Sequence, residues 1–264
     1  MIPKIIHYCW FGGNPKPEDV QRYISSWKQY CPDYEIREWN ESNFDIKEND
    51  YCREAYEAKQ WAFVTDYVRL KALYQEGGIY MDTDVEVLKN LDPLLIFNAF
   101  SGYETRSTIP TGTMGACPGN EWIGLLMHNY DYRHFYNKNG TFDKTTNVKV
   151  ITALTKNKYN LQFNGEKLYF GDNMAILPFD YLCAKNVDTG VIQRTKNTFT
   201  IHHFKGTWLT PEDRYAKELR STLKILPSSL ASHFARYFAA AKYRGIWKAN
   251  KEVFYWLEQN HGNH

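Results

Sequence analysis

The sequence lacks close cysteine pairs. Its five cysteines, at 9, 31, 52, 117 and 183, are odd in number and widely spaced, which argues against a zinc knuckle or a disulfide framework and predicts reduced thiols in a cytoplasmic protein. No apolar run is long enough to span a bilayer, and no basic segment leads into an apolar helix with a small-residue cleavage site. Neither a membrane span nor a signal peptide is therefore expected. An excess of one charge is also missing: 32 basic against 30 acidic side chains give a net charge of +2, and that balance does not call for nucleic acid. Internal repeats and low-complexity linkers are absent as well. The 264 residues, 43% of them apolar, suffice for one large core and a small appendage.

What is present concentrates near the end of the first third. Asp66-Tyr67-Val68-Arg69 is followed by Gly77-Gly78-Ile79-Tyr80-Met81-Asp82-Thr83-Asp84. Residues 53 to 76 read as one helix, with Ala62, Val64, Leu70, Ala72, Leu73 and Tyr74 as its apolar stripe and Gly77-Gly78 as its stop. Asp66 and Arg69, three apart, share a face of it. In an extended segment the carboxylates of Asp82 and Asp84 point the same way, so they can grip one hard cation whose remaining shell comes from substrate phosphates. Magnesium and manganese have this preference. Arg69 can clamp a diphosphate and Asp66 can accept from sugar hydroxyls. The plainer alternatives are a solvated acidic turn and a surface ion pair of little worth.

Two further segments carry chemistry. Residues 2 to 11 form a short apolar run ended by Gly12-Gly13-Asn14-Pro15, as in a buried parallel strand that delivers a loop to its carboxyl edge, where α/β sheets bind ligands. Trp10 can stack there on a planar base, or pack as a core aromatic. Trp39 and Asn40 end a second strand on the same edge and are weaker candidates for ribose or base contacts. Thr111 to Ala116 is placed in a donor-sugar pocket, His128 to Tyr136 in an acceptor-facing segment and Asn147 at a sugar contact.

These strings resemble the DXD-containing sugar transferases, a family that includes the fungal initiating mannosyltransferase and many capsule and lipopolysaccharide enzymes, and more distantly the clostridial glucosylating toxins. Besides Asp66-x-x-Arg69 and Gly77 to Asp84, the likeness rests on Ile2 to Gly13, on Tyr181-Leu182-Cys183 to Asp188-Thr189-Gly190, and on Thr198 to Trp208. It covers roughly residues 2 to 210. It implies an α/β fold of the GT-A type, a nucleotide-sugar-binding domain with a mixed central sheet, over 1–212. It also implies transfer of a hexose from a nucleoside diphosphate to a saccharide or lipid-linked saccharide in surface polysaccharide synthesis, with retention of configuration. A UDP-hexose is the favoured donor and GDP-mannose the second; manganese or magnesium is the cofactor. The implied catalytic set is Asp66, Arg69, Asp82 and Asp84. Donor contacts fall to Cys9, Trp10, Asn40, Tyr80, Asp82, Lys205, Thr207 and Trp208, with Thr207 keeping the hydroxyl of the family's more usual serine. The implied metal ligands are Asp82, Asp84 and one residue of the closing segment. Adjacent strand residues face opposite sides, so at most one of His202 and His203 reaches the metal, with Thr207 as the other candidate of the closing segment; His203 is preferred.

Two other classes compete. The Tyr80 to Val85 string imitates the nucleophile strand of aspartate-dependent phosphohydrolases, and a non-catalytic saccharide-binding protein would need only an aromatic pocket. Residues 213–264 form a helical C-terminal appendage, read as three helices broken at Pro227-Ser228-Ser229 and at Gly245, with basic residues recurring among aromatics. Such faces suit either packing or contact with an anionic membrane at its inner face.

Overall fold

The computed structural model describes residues 1–187, 189–206, 209–223, 226 and 228–250. By its internal contacts the chain divides into two units: Met1–Lys185 with Ile192–Lys205, and Asn186–Val191 with Gly206 onward. The sequence-derived division at 212/213 falls inside the helix Pro211–Thr222.

The first unit mixes strands and helices, in chain order β1 (Ile5–Cys9), α1 (Glu18–Tyr30), β2 (Glu35–Trp39), α2 (Asp50–Glu57), α3 (Trp61–Glu76), β3 (Gly78–Met81), β4 (Val85–Val87), β5 (Ala99–Gly102), β6 (Thr113–Ala116), α4 (Glu121–His128), α5 (Asn147–Tyr159), β7 (Leu168–Phe170), β8 (Met174–Leu177), α6 (Phe179–Leu182) and β9 (Thr200–His202). Seven strands form one sheet in the order β2-β1-β3-β6-β5-β8-β7, and β4 pairs with β9 in a second, two-stranded sheet. The large sheet is mixed: β1 runs parallel to β2 and β3, β5 parallel to β8, and β6 antiparallel to both β3 and β5. This is the α/β class with a mixed central sheet expected of a GT-A-type domain.

The strands that lead to the site are buried on both faces, which is why they read as unbroken apolar runs rather than alternating ones. Helix α1 instead buries a single stripe, Val20, Tyr23 and Trp27, and the Trp27 indole N–H donates to the Val85 carbonyl at 2.8 Å.

Helix α3 departs from expectation in two ways. The single helix read over 53–76 is two helices, because Lys59 takes a left-handed backbone (φ 56°) between Glu57 and Trp61. No glycine or proline marks that break. Second, α3 is buried nearly all round, Asp66 and Arg69 included, so their pair is interior rather than a surface ion pair. Its end is as read: Gly77 and Gly78 have φ of 68° and 97°, and a Cβ on Gly78 would lie 2.7 Å from the Ile5 carbonyl oxygen.

The second unit holds α7 (Pro211–Thr222) and α8 (Ser228–Arg244), packed on each other. Thr210 and Asp213 form a reciprocal capping box at the start of α7. Gly245 follows α8 with φ 89°, at the break expected from the sequence; the part of the expected third helix beyond residue 250 lies outside the described residues.

Candidate active site

The central cluster lies where β3 ends. Asp82-Thr83-Asp84 is a turn, closed by the Val85 N–H donating to the Asp82 carbonyl at 3.0 Å, and not the extended segment anticipated. The two carboxylates still converge, but through the turn and through partners from distant segments. His202, the last residue of β9, places Nε2 3.2 Å from Asp84 Oδ1 and 3.8 Å from Asp82 Oδ2. One ligand atom from each of Asp82, Asp84 and His202 lies within 4.8 Å of the others.

Two carboxylate oxygens and one imidazole nitrogen in so small a space form a donor set that fits a divalent cation. Without a cation, a proton on His202 holds the charges together. Burial pushes the Asp84 carboxyl up, but His202 and the Lys205 amide overcome it and draw it down to about 2. Burial likewise opposes charge on His202, and Asp84 raises that imidazole well above its ordinary value.

His203, preferred from the sequence as the third ligand, is not part of this set. Its ring lies on the opposite face of the chain, stacked on Tyr23 at 4.7 Å between centroids, with Nε2 2.9 Å from Glu86 Oε2. The choice was between neighbours of opposite parity, and the pairing of Val85 with His202 decides it.

The closing segment acts on Asp84 through its backbone. The His203 N–H donates to the Asp84 carbonyl at 2.9 Å and the Lys205 N–H to Asp84 Oδ2 at 2.8 Å. The Lys205 ammonium, expected among the donor contacts, is instead paired with Asp19 and lies over the Tyr23 ring. Thr207 and Trp208 lie outside the described residues.

Arg69 links the turn to α3. Its Nη1 donates to Asp82 Oδ1 at 3.0 Å and to Thr111 Oγ1 at 2.8 Å, its Nη2 to Asp66 Oδ1 at 3.1 Å, and its Nε to the Thr65 carbonyl at 3.0 Å. With its fork saturated and its side chain buried, Arg69 is not available as the diphosphate clamp anticipated; it fixes Asp82 and Asp66 in place. Tyr80 is buried too: its hydroxyl donates to Asp82 Oδ1 at 3.1 Å and the guanidinium lies 4.6 Å from its ring centre. Tyr80 therefore orients a carboxylate, which sequence reading did not distinguish from donor contact.

Asp66 accepts from Asn147 Nδ2 at 2.5 Å, and the same amide contacts Thr111 Oγ1 at 2.6 Å. Asp66, Asn147 and Thr111, from three segments assigned to sugar contact, thus form one polar group. Burial is the largest influence on the Asp66 carboxyl; Arg69 opposes it and Asp82 adds to it, leaving the group titrating at about 7.

At the edge of β1 and β2, Trp10 is half-buried and its indole N–H donates to the Asn14 carbonyl at 2.6 Å. Asn40 accepts from the Ser42 N–H at 2.9 Å and donates to Glu38 Oε1 at 3.1 Å. Cys9 is buried, with its thiol pushed far up by burial, so it lines the core and offers no thiolate.

The family described as a glycosyltransferase sugar-binding region containing a DXD motif matches residues 17–101. Inositol phosphoceramide mannosyltransferase 3 of Schizosaccharomyces pombe is 34% identical over 132 residues, 48% of this chain and 37% of that relative. A glycosyltransferase of Acanthamoeba polyphaga mimivirus is 26% identical over 174 residues, 60% of this chain and 67% of the viral protein. Among solved structures, the PaToxG glycosyltransferase aligns with a TM-score of 0.46 at 18% identity, over 60% of this chain and 70% of that one. The chain thus spans little more than a third of the fungal mannosyltransferase. Residues 17–101, the stretch that matches the DXD-containing sugar-binding region, include Asp66, Arg69, Asp82 and Asp84.

Proposed function

We propose that the protein is a metal-dependent glycosyltransferase that moves a hexose from a nucleoside diphosphate to a hydroxyl of a saccharide or lipid-linked saccharide. The observation that carries this reading is the convergence of Asp82, Asp84 and His202 beside the Arg69-Asp66 pair. Asp82, Asp84 and His202 would hold manganese or magnesium. When bound, such a cation supplies positive charge against the negative charge that accumulates on a departing diphosphate.

The remaining roles belong to the chain itself. Arg69 and Tyr80 hold Asp82 at a fixed orientation, and the Lys205 amide does the same for Asp84. Asp66 Oδ2 and Asn147 Oδ1 would accept from sugar hydroxyls, since the Asn147 amide nitrogen already donates to Asp66 and Thr111, and Trp10 offers an aromatic face to the base. The family resemblance implies retention of configuration, and because the Asp66 and Asp82 carboxylates are both tied to Arg69 rather than free to attack an anomeric carbon, same-face attack assisted by the leaving phosphate is favoured over a covalent intermediate. The same tie counts against Asp82 as the nucleophile of a phosphohydrolase. A purely saccharide-binding role leaves the carboxylate-histidine cluster without a purpose.

The fungal relative is named as a mannosyltransferase, which puts GDP-mannose beside UDP-hexoses as the donors to try first. Surface polysaccharide synthesis at the cytoplasmic face of the membrane is the setting we assign to the reaction. The test is release of nucleoside diphosphate from each donor with manganese and a saccharide acceptor, together with the mass of the product. Donor-dependent release with a hexose added to the acceptor is the expected result. Orthophosphate release from phosphate esters would favour the hydrolase, and binding of saccharide without turnover would favour the binder.

A further inference from the structure

Helix α8 has its apolar residues on the wrong side for a helix that serves only as a structural cover. Ala231, Ala235 and Ala239 are 4%, 1% and 1% exposed, whereas Leu230, Phe234 and Phe238 are 48%, 45% and 51% exposed. Each trio is spaced by four residues, so each forms one row along the helix. Small side chains occupy the covered row and large apolar ones the open row, the reverse of what burial of apolar area favours. Beyond Gly245 the pattern continues: Ile246 is 65% exposed and Trp247 83%.

The charge of the same stretch identifies what this row meets. Residues 228–250 include Arg236, Lys242, Arg244 and Lys248, all exposed, and no aspartate or glutamate. Arg244 shares its charge with Glu212 at 2.6 Å, and Lys242 lies 3.8 Å from the centre of the Tyr215 ring. A cation-only stretch with an open row of leucine and phenylalanine, followed by an exposed tryptophan, is complementary to an anionic lipid surface. The rings and Leu230 enter the acyl boundary while the long basic chains reach headgroup phosphates. Among the described residues no helix is long and apolar enough to cross a membrane, so the contact is with the surface.

We infer that the Leu230-Phe234-Phe238 row of α8, with Trp247, docks the protein on an anionic membrane. This inference stands independently of the reaction catalysed.

The test is sedimentation of the full chain with phosphatidylcholine vesicles containing about 30% phosphatidylglycerol, at low and high salt. Binding is expected at low salt, with partitioning at least about tenfold weaker at high salt and on phosphatidylcholine alone. The double variant Phe234→Ser/Phe238→Ser, at exposed positions, should fold normally by circular dichroism and lose most of the binding. Arg236→Glu/Lys248→Glu should do the same without touching the apolar row. Failure of the full chain to sediment at low salt, equal binding to neutral vesicles, or undiminished binding by both variants would overturn the inference. So would a concentration-dependent dimer that the phenylalanine variant abolishes while vesicles remain unbound, because the row would then belong to a second copy.

Discussion

His202 Nε2 stands 3.2 Å from Asp84 Oδ1, and in the absence of a cation that contact is an ion pair. A divalent cation and the His202 proton compete for one place, so binding must release a proton. Manganese affinity should therefore rise with pH, by up to about tenfold per unit below the raised pKa of His202. Calorimetry in buffers of different ionisation enthalpy should show uptake of about one proton by the buffer. Affinity independent of pH would contradict the assignment of His202.

The same pair sets the acid limit of the metal-free protein. The Asp84 carboxyl, drawn down to about 2, contributes stability that is complete above its unfolded value near 3.8 and is lost as pH falls towards 2. His202, raised, contributes stability that is complete below 6.5 and is lost as pH rises through its folded value. Asp84→Asn should remove roughly 2 kcal/mol of the acid-labile part, measured as a flatter dependence of the urea midpoint between those pH values.

His7 gives a signature opposite to that of His202, in a different window. Its Nδ1 accepts from the Trp39 indole at 3.0 Å and its Nε2 donates to the Gly77 carbonyl at 2.8 Å, a neutral tautomer locked between β1, β2 and the end of α3. Burial lowers its pKa from 6.5 to about 4, so the folded state resists protonation and stability falls as pH drops through that interval. The loss should approach roughly 3 kcal/mol by the lower end, and a His7→Gln variant should lack it.

Gly112 leaves room for the His202 ring: a Cβ there would lie 2.5 Å from Nδ1. Gly112→Ala should displace the imidazole and weaken manganese binding by roughly 10- to 100-fold, at a stability cost of about 1–3 kcal/mol. Unchanged manganese affinity in the folded variant would show that His202 is not a ligand.

Arg69→Met removes the buried cation that Asp66 and Asp82 share. The expected cost is about 3–5 kcal/mol, and Arg69→Lys should restore charge without restoring the fork to Asp82, Asp66 and Thr111. Thermal melts should then rank wild type above lysine above methionine. A lysine variant equal to wild type in stability and turnover would mean that the fork geometry is immaterial.

Much of this arrangement is legible locally. The glycine pair after α3, the buried run of β1 and the shared helix face of Asp66 and Arg69 all follow from residue types within short windows. What the sequence hides depends on long-range pairing. Choosing His202 over His203 needs the register of β9 on β4, and finding Lys205 turned to Asp19 needs the position of α1. The break at Lys59 was invisible because a lysine, rather than glycine or asparagine, takes the left-handed conformation there. Arg69 read as a ligand-facing clamp because its spacing from Asp66 suggested a helix surface, whereas α3 is enclosed on nearly every side.

The most direct test of the central claim compares wild type, Asp84→Asn and Asp82→Asn in nucleoside diphosphate release from a nucleotide sugar, with manganese and after its removal by chelation. The account predicts that chelation stops wild-type release, that manganese restores it, and that each folded variant loses at least about 100-fold of the manganese-dependent rate. Release that survives chelation, or that is unchanged in both folded variants, would contradict it.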